Sequence, residues 1–221
     1  AMGYKAGELV TTGGDNAFFG AYAGSKVTTG NTNTAIGGEA FINNVEGDRN
    51  NAIGHRSLYT MNTSGDVDTY NTAVGYYSGF AITTGIRNTL IGGQAGDALT
   101  DADYNVALGE SALSADTLGS RSVAIGRAAL SSQNFTTATN TYNTAAGNNA
   151  GLSVTTGIRN NLFGAESGEA LTDADDNTAI GYQALTADTL GSRSVAIGNN
   201  ALDSQNFTTA TNTYNVAVGY A

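Results

Sequence analysis

A five-residue pattern keeps returning along this chain: Asn, a variable residue, a small apolar residue, a bulky apolar residue, Gly. It reads NTAIG at 33–37 and 177–181, NTAVG at 71–75, NTLIG at 88–92, NVALG at 105–109 and SVAIG at 122–126 and 194–198. Its glycines are Gly3, Gly20, Gly37, Gly54, Gly75, Gly92, Gly109, Gly126, Gly147, Gly164, Gly181, Gly198 and Gly219. They are spaced 17, 17, 17 and 21 residues apart, and that series runs three times, giving a super-repeat of 72 residues. Residues 71–142 and 143–214 are identical at about 50 of 72 positions, while the opening super-repeat is more diverged but stays in register. A 17-residue unit is too short for a helix–turn–helix repeat, and its Val, Ile and Thr runs bounded by Gly, Asn and Ser read as strands and turns. A second, shorter strand is expected after each glycine, as in GYQAL at 181–185 and GESAL at 109–113. The predicted fold is all-β: a parallel β-roll or β-solenoid of about twelve coils, every fourth one 21 residues long.

Position two of each strand is small and apolar, and position three is bulky and apolar, from Ile36 and Ile53 to Ile197 and Val218. Successive strand residues point to opposite faces, so both faces are apolar. One face fills the roll and the other needs a partner. Either the alanines face outward and let identical rods approach closely, or they line a narrow interior and the large residues meet the partner. Both versions give an oligomer. The first makes Ala107, Ala124, Ala179 and Ala196 the candidate interface positions.

Composition agrees with stacked coils. Proline is absent, as a ladder in which nearly every N–H is paired requires, and glycine numbers 30. Cysteine is absent, which removes disulfides and thiolate metal sites. The net charge of −10, with only 9 Lys and Arg, argues against nucleic acid or an anionic membrane as a partner. No apolar run is long enough for a membrane-spanning helix, and no membrane insertion is expected. Ala1-Met2 reads as a vector remnant, leaving 3–221 as one solenoid domain. Both ends fall within the repeat without a capping segment, so a piece of a longer protein is expected.

SVAIG with its following small residue resembles the head repeats of trimeric autotransporter adhesins. The fuller unit NTAIGYQAL at 177–185, with Thr-Thr-Gly turns at 83–85 and 155–157, resembles repeats of phage tail fibres. The resemblance covers essentially the whole chain. It implies a left-handed roll, a homotrimer and a structural or adhesive role: a tail-fibre shaft in a virion that contacts a host receptor or glycan. The alternative is an adhesin head on a bacterial surface. A third reading, an ice-binding solenoid, suffers because the position after Asn mixes Thr34, Thr72 and Thr178 with Asn51, Val106, Val123 and Val195.

Enzymatic chemistry finds no support. There is no phosphate loop, dinucleotide fingerprint or zinc signature, and His55 is the single histidine, so no catalytic residue and no cofactor is assigned. Asp101-x-Asp103 and Asp173-x-Asp175, each followed by a motif Asn, are the candidate calcium ligands, set against solvated acidic turns. The four extra residues of the long coils lie within Ser64–Tyr70, Phe135–Tyr142 and Phe207–Tyr214. Loops projecting there make Phe135, Tyr142, Phe207 and Tyr214 candidate receptor contacts, set against packing over the roll edge. The residue before the motif Asn alternates Tyr70, Arg87, Tyr104, Arg121, Tyr142 and Arg159, which predicts a cation–π ladder between coils about 4.8 Å apart. The motif Asn itself has two readings, an amide ladder along the rod or a bond within its own turn.

Overall fold

A computed structural model describes residues 1–65 and 67–220. Among them there is no helix, and twelve three-residue strands, from Ala17–Phe19 to Val216–Val218, pair in parallel in chain order. Each pairing keeps the motif in phase. Thr72, Ala73 and Val74 lie beside Thr89, Leu90 and Ile91, and these lie beside Val106, Ala107 and Leu108. Where the coil is 21 residues long the phase still holds, with Ala124 beside Ala145. The chain is a parallel β-solenoid of about twelve turns.

The motif glycine fixes that phase. Its φ lies between 125° and 149° in every coil, a region closed to side chains. A Cβ there would also lie 2.1–2.6 Å from the carbonyl oxygen of the next motif glycine, for every pair from Gly3 to Gly198. Two independent obstacles therefore exclude any other residue.

The segment after the glycine is a turn, not the expected second strand. Its second and fourth residues both take left-handed backbone angles, as at Ser111 (φ 55°) and Leu113 (φ 55°), or Gln183 (φ 54°) and Leu185 (φ 55°). This geometry still serves the ladder. Ser111 N–H donates to Gly93 in the preceding coil, and Leu113 N–H to Ala129 in the following one, both at 3.0 Å. Apolar residues two apart imitated a strand, but here the alternation comes from backbone reversal. The residue before the motif Asn is left-handed as well, and together these columns account for thirty non-glycine residues with positive φ. Each such residue costs about 1–3 kcal/mol, which only the neighbouring coils can offset.

The alanines line the interior. Ala107, Ala124, Ala179 and Ala196 are fully buried within the single chain, so they cannot be the interface between chains. The thin roll explains why: the residue opposite is Leu wherever the strand offers Ala, as with Leu113 and Leu130 across from Ala107 and Ala124. The reverse also holds. Leu90 replaces Ala on the strand, and a Cβ at Gly79 or Gly96 would meet its side chain at 2.9 Å or 2.8 Å. Leu162 fits between Gly151 and Gly168 at 2.8 Å and 2.7 Å in the same way. Large and small residues trade sides with the four-coil period.

Each buried motif Asn links two coils rather than closing its own turn. Asn88 Oδ1 accepts from the backbone N–H of Asn105 at 2.9 Å, and its Nδ2 donates to the carbonyl of Ala102 at 2.8 Å. Asn105, Asn160 and Asn177 repeat the pair of bonds. The ladder thus runs from side chain to backbone, and direct amide–amide bonds are confined to Asn50–Asn33 at 3.1 Å and Asn88–Asn71 at 3.2 Å.

The glycine geometry yields a prediction. Gly109→Ala should lower the unfolding free energy by at least about 3 kcal/mol. Gly93→Ala, where an added Cβ meets nothing within 4 Å, should change it by less than about 0.5 kcal/mol. Denaturant titrations followed by circular dichroism compare the two.

Candidate functional site

The outer face of the sheet is the surface that this chain leaves open. The position-three residues Phe19, Ile36, Ile91, Leu108, Ile125, Phe163 and Ile180 form a column along the rod, each 38–46% exposed. Ile53, Val74, Ala146 and Ile197 continue it, half-buried. Single exposed apolar residues are ordinary, but a contiguous apolar strip about 50 Å long is a surface built to be covered.

Beside this strip runs the expected Arg/Tyr column. Arg87 lies 5.4 Å and Arg121 5.1 Å from the ring centre of Tyr104, and Arg121 is 6.0 Å from that of Tyr142. Arg49 covers Tyr70 at 5.5 Å, and Arg193 covers Tyr214 at 5.5 Å. Where Asp176 interrupts the tyrosines, Arg159 takes it as an ion pair at 2.5 Å and holds its carboxyl below the usual range. All these pairs join adjacent coils, so the column reinforces the rod axis on its surface.

The long coils loop out three residues at a time. Leu118 N–H donates to Phe135 O at 3.1 Å, while Leu118 O accepts from Thr139 N–H at 3.3 Å. Residues 136–138 are thereby skipped by the ladder and exposed, and residues 208–210 repeat this between Phe207 and Thr211. In the opening super-repeat, Asp66 of the matching loop lies outside the described residues. The candidate contacts separate accordingly. Phe135 is only 7% exposed and Phe207 half-buried, because both close the roll edge below the loop. Phe135 is therefore packing, not a receptor contact. Tyr142 and Tyr214 are exposed, but they belong to the Arg/Tyr column instead of the loop tips.

The acidic turns serve the ladder too. Asp103 Oδ1 accepts from Ile86 N–H and Asp175 Oδ1 from Ile158 N–H, both at 2.8 Å. Asp101 accepts from Thr84 Oγ1 at 2.5 Å and Asp173 from Thr156 Oγ1 at 2.6 Å. Each carboxylate bonds to the coil before it. Among the described residues no three His, Cys, Asp or Glu side chains converge as metal ligands. His55 is an exposed residue of the post-glycine turn.

A buried polar cluster under the long coil escaped the sequence reading. Asp116 is fully buried. Its Oδ1 accepts from the N–H groups of Gly119 and Phe135 at 3.0 Å and 3.1 Å, and its Oδ2 from Gln133 Nε2 at 2.5 Å. Gln133 also donates to Ser122 Oγ at 2.8 Å and accepts from Asn143 Nδ2 at 2.8 Å. Asp188, Gln205, Ser194 and Asn215 repeat the cluster. Its job is to bridge the point where Ser122 or Ser194 interrupts the Asn ladder. Burial pushes the Asp116 carboxyl up, against the downward pull of its hydrogen bonds. The opening super-repeat uses an uncharged version, with Asn44 in place of Asp116 and Met61 in place of Gln133.

This difference sets a pH dependence. A carboxyl whose folded pKa is raised destabilises the fold while ionised, and that cost vanishes as pH falls through the folded value. Wild-type protein should therefore gain stability relative to Asp116→Asn between about pH 7 and about pH 4. Paired melting curves at several pH values check the sign; a constant gap would place the cost elsewhere.

No protein family, curated protein or solved structure matches this chain.

Proposed function

We propose that this chain is a shaft segment of a trimeric phage tail fibre, located in the virion and acting as a structural and adhesive rod, not an enzyme. The observation that carries the reading is the outward apolar column from Phe19 to Ile180, which one rod leaves uncovered. Three copies around a common axis would set each column against its neighbours at every level, because identical coils present the same side chains at the same spacing. Closed symmetry is the usual outcome for such self-complementary strips. The count of three and the fibre setting rest on the NTAIGYQAL resemblance. The SVAIG strands at 122–126 and 194–198 favour a second reading, the head of a trimeric adhesin on a bacterial surface.

As a rod the molecule would act through columns that repeat at each level: the Asn ladder inside, the Arg/Tyr pairs outside and the apolar strip between chains. Such a rod spaces a receptor-contacting element from its anchor and resists bending because each column runs along the axis.

Sedimentation velocity tests the assembly. Wild-type protein at micromolar concentration should sediment with three chain masses. Ile91→Glu, Ile125→Glu and Phe163→Glu together should leave a folded monomer or insoluble chain. A stable, folded wild-type monomer would sink the trimer.

A further inference from the structure

The turn after the motif glycine is polar or small in most coils, but in two successive coils of the opening super-repeat it carries a cluster of rings. His55 and Tyr76 stack with centroids 5.8 Å apart and planes inclined 24°. Tyr76 meets Tyr77 at 4.4 Å, Tyr77 stacks on Phe80 at 4.8 Å, and Phe80 stacks on Tyr59 at 5.1 Å. Arg56 lies over Tyr59 at 5.3 Å and Tyr77 at 5.7 Å. It donates to Tyr77 Oη at 2.7 Å and to Glu39 Oε2 at 2.6 Å, which fixes the floor of the cluster.

The protein contains its own control for whether the fold needs these rings. Seventy-two residues further on, the same positions hold Arg127, Ala128, Ser131, Asn148, Asn149 and Leu152. The backbone is unchanged. Arg56 and Ala128 have φ of 55° and 54°, and Tyr77 and Asn149 have 57° and 54°. Tyr77 N–H donates to His55 O at 3.0 Å, as Asn149 N–H does to Arg127 O at 3.0 Å. The turn forms equally well without a single ring. Tyr76, moreover, is 59% exposed, so its aromatic surface is spent on solvent rather than on the core.

The chemistry narrows the occupant. Glu39 balances the charge of Arg56, and the chain as a whole carries −10, so the patch offers nothing to a polyanion. It offers flat ring faces with hydroxyl edges, a surface that stacks on the C–H faces of sugar rings. A second copy of the chain is a poor fit, since a lengthwise contact between rods recurs at every level and this cluster occupies only two. Adjacent coils stand about 4.8 Å apart, so the cluster spans one or two pyranose rings.

We propose that the aromatic edge formed by His55, Tyr59, Tyr76, Tyr77 and Phe80 is a saccharide-binding site for one or two uncharged pyranose residues. The site lies on a single rod, and it stands whether or not the rods trimerise.

Saturation-transfer NMR on the 221-residue chain tests this with the methyl glycosides of glucose, galactose, mannose and N-acetylglucosamine, together with maltose, cellobiose, lactose and chitobiose. Ring protons of at least one of these sugars should receive saturation. Tyr76→Ala should weaken the apparent affinity by at least about tenfold while leaving the melting curve in place. Building the cluster into the second super-repeat, by Ser111→Glu, Arg127→His, Ala128→Arg, Ser131→Tyr, Asn148→Tyr, Asn149→Tyr and Leu152→Phe, should double the stoichiometry. Silence from all eight sugars overturns the proposal, as does transfer that Tyr76→Ala leaves intact. Conversion of an oligomer to a monomer by Tyr76→Ala would also overturn it, assigning the cluster to contact between chains.

Discussion

Carbonyl oxygens of successive motif glycines stack so closely that no side chain fits between them. That steric limit sets the register of the whole molecule. Once Gly92 sits under Gly109, Leu90 must lie beside Ala107 and Ile91 beside Leu108, and every other position of the coil becomes a column. The buried amides, the Arg/Tyr pairs and the apolar strip are all products of one repeated contact. None has a meaning within a single coil, since each bond joins a residue to its counterpart about 17 positions away.

Such a structure is locally expensive and collectively stable. Left-handed angles at residues as unlike as Arg87, Tyr104 and Leu130 oppose the intrinsic preference of those side chains. What holds them is the neighbour: Arg87 N–H reaches Thr69 O at 2.7 Å, and Tyr104 N–H reaches Ile86 O at 3.1 Å. Stability therefore resides in interfaces between coils, as in other repeat proteins, and an isolated turn of this sequence has no reason to adopt its native shape.

Much of the fold was legible because the glycine spacing is periodic and the periodicity is steric. The same numbering located the Arg/Tyr column, since residues 17 apart become neighbours. What stayed hidden was which face of the strand is the inside. Both faces are apolar, and strand alternation separates them without ranking them. The missing signal was complementarity across the roll: Leu90 and Leu162 occur where Gly79, Gly96, Gly151 and Gly168 stand on the far side. Asp116 and Gln133 were unreadable for another reason, because nothing local marks a carboxylate as buried. The ring cluster was within reach, as His55 and Tyr76 are one long coil apart, but aromatic residues in a turn give no sign of stacking until the coils are superposed.

The exchange of large and small residues across the roll makes the length of this rod a quantised property. Removing a lone coil such as the one carrying Leu90 would take away the side chain that fills the space above Gly79 and leave a void there. Removing or adding four coils restores every core neighbour, every Asp-Gln bridge and the phase of the looped-out residues at once. Unequal recombination between two stretches as alike as 71–142 and 143–214 supplies that unit in one event. Rods of this sequence type can thus lengthen or shorten without repacking only in steps of about 19 Å, four strand spacings.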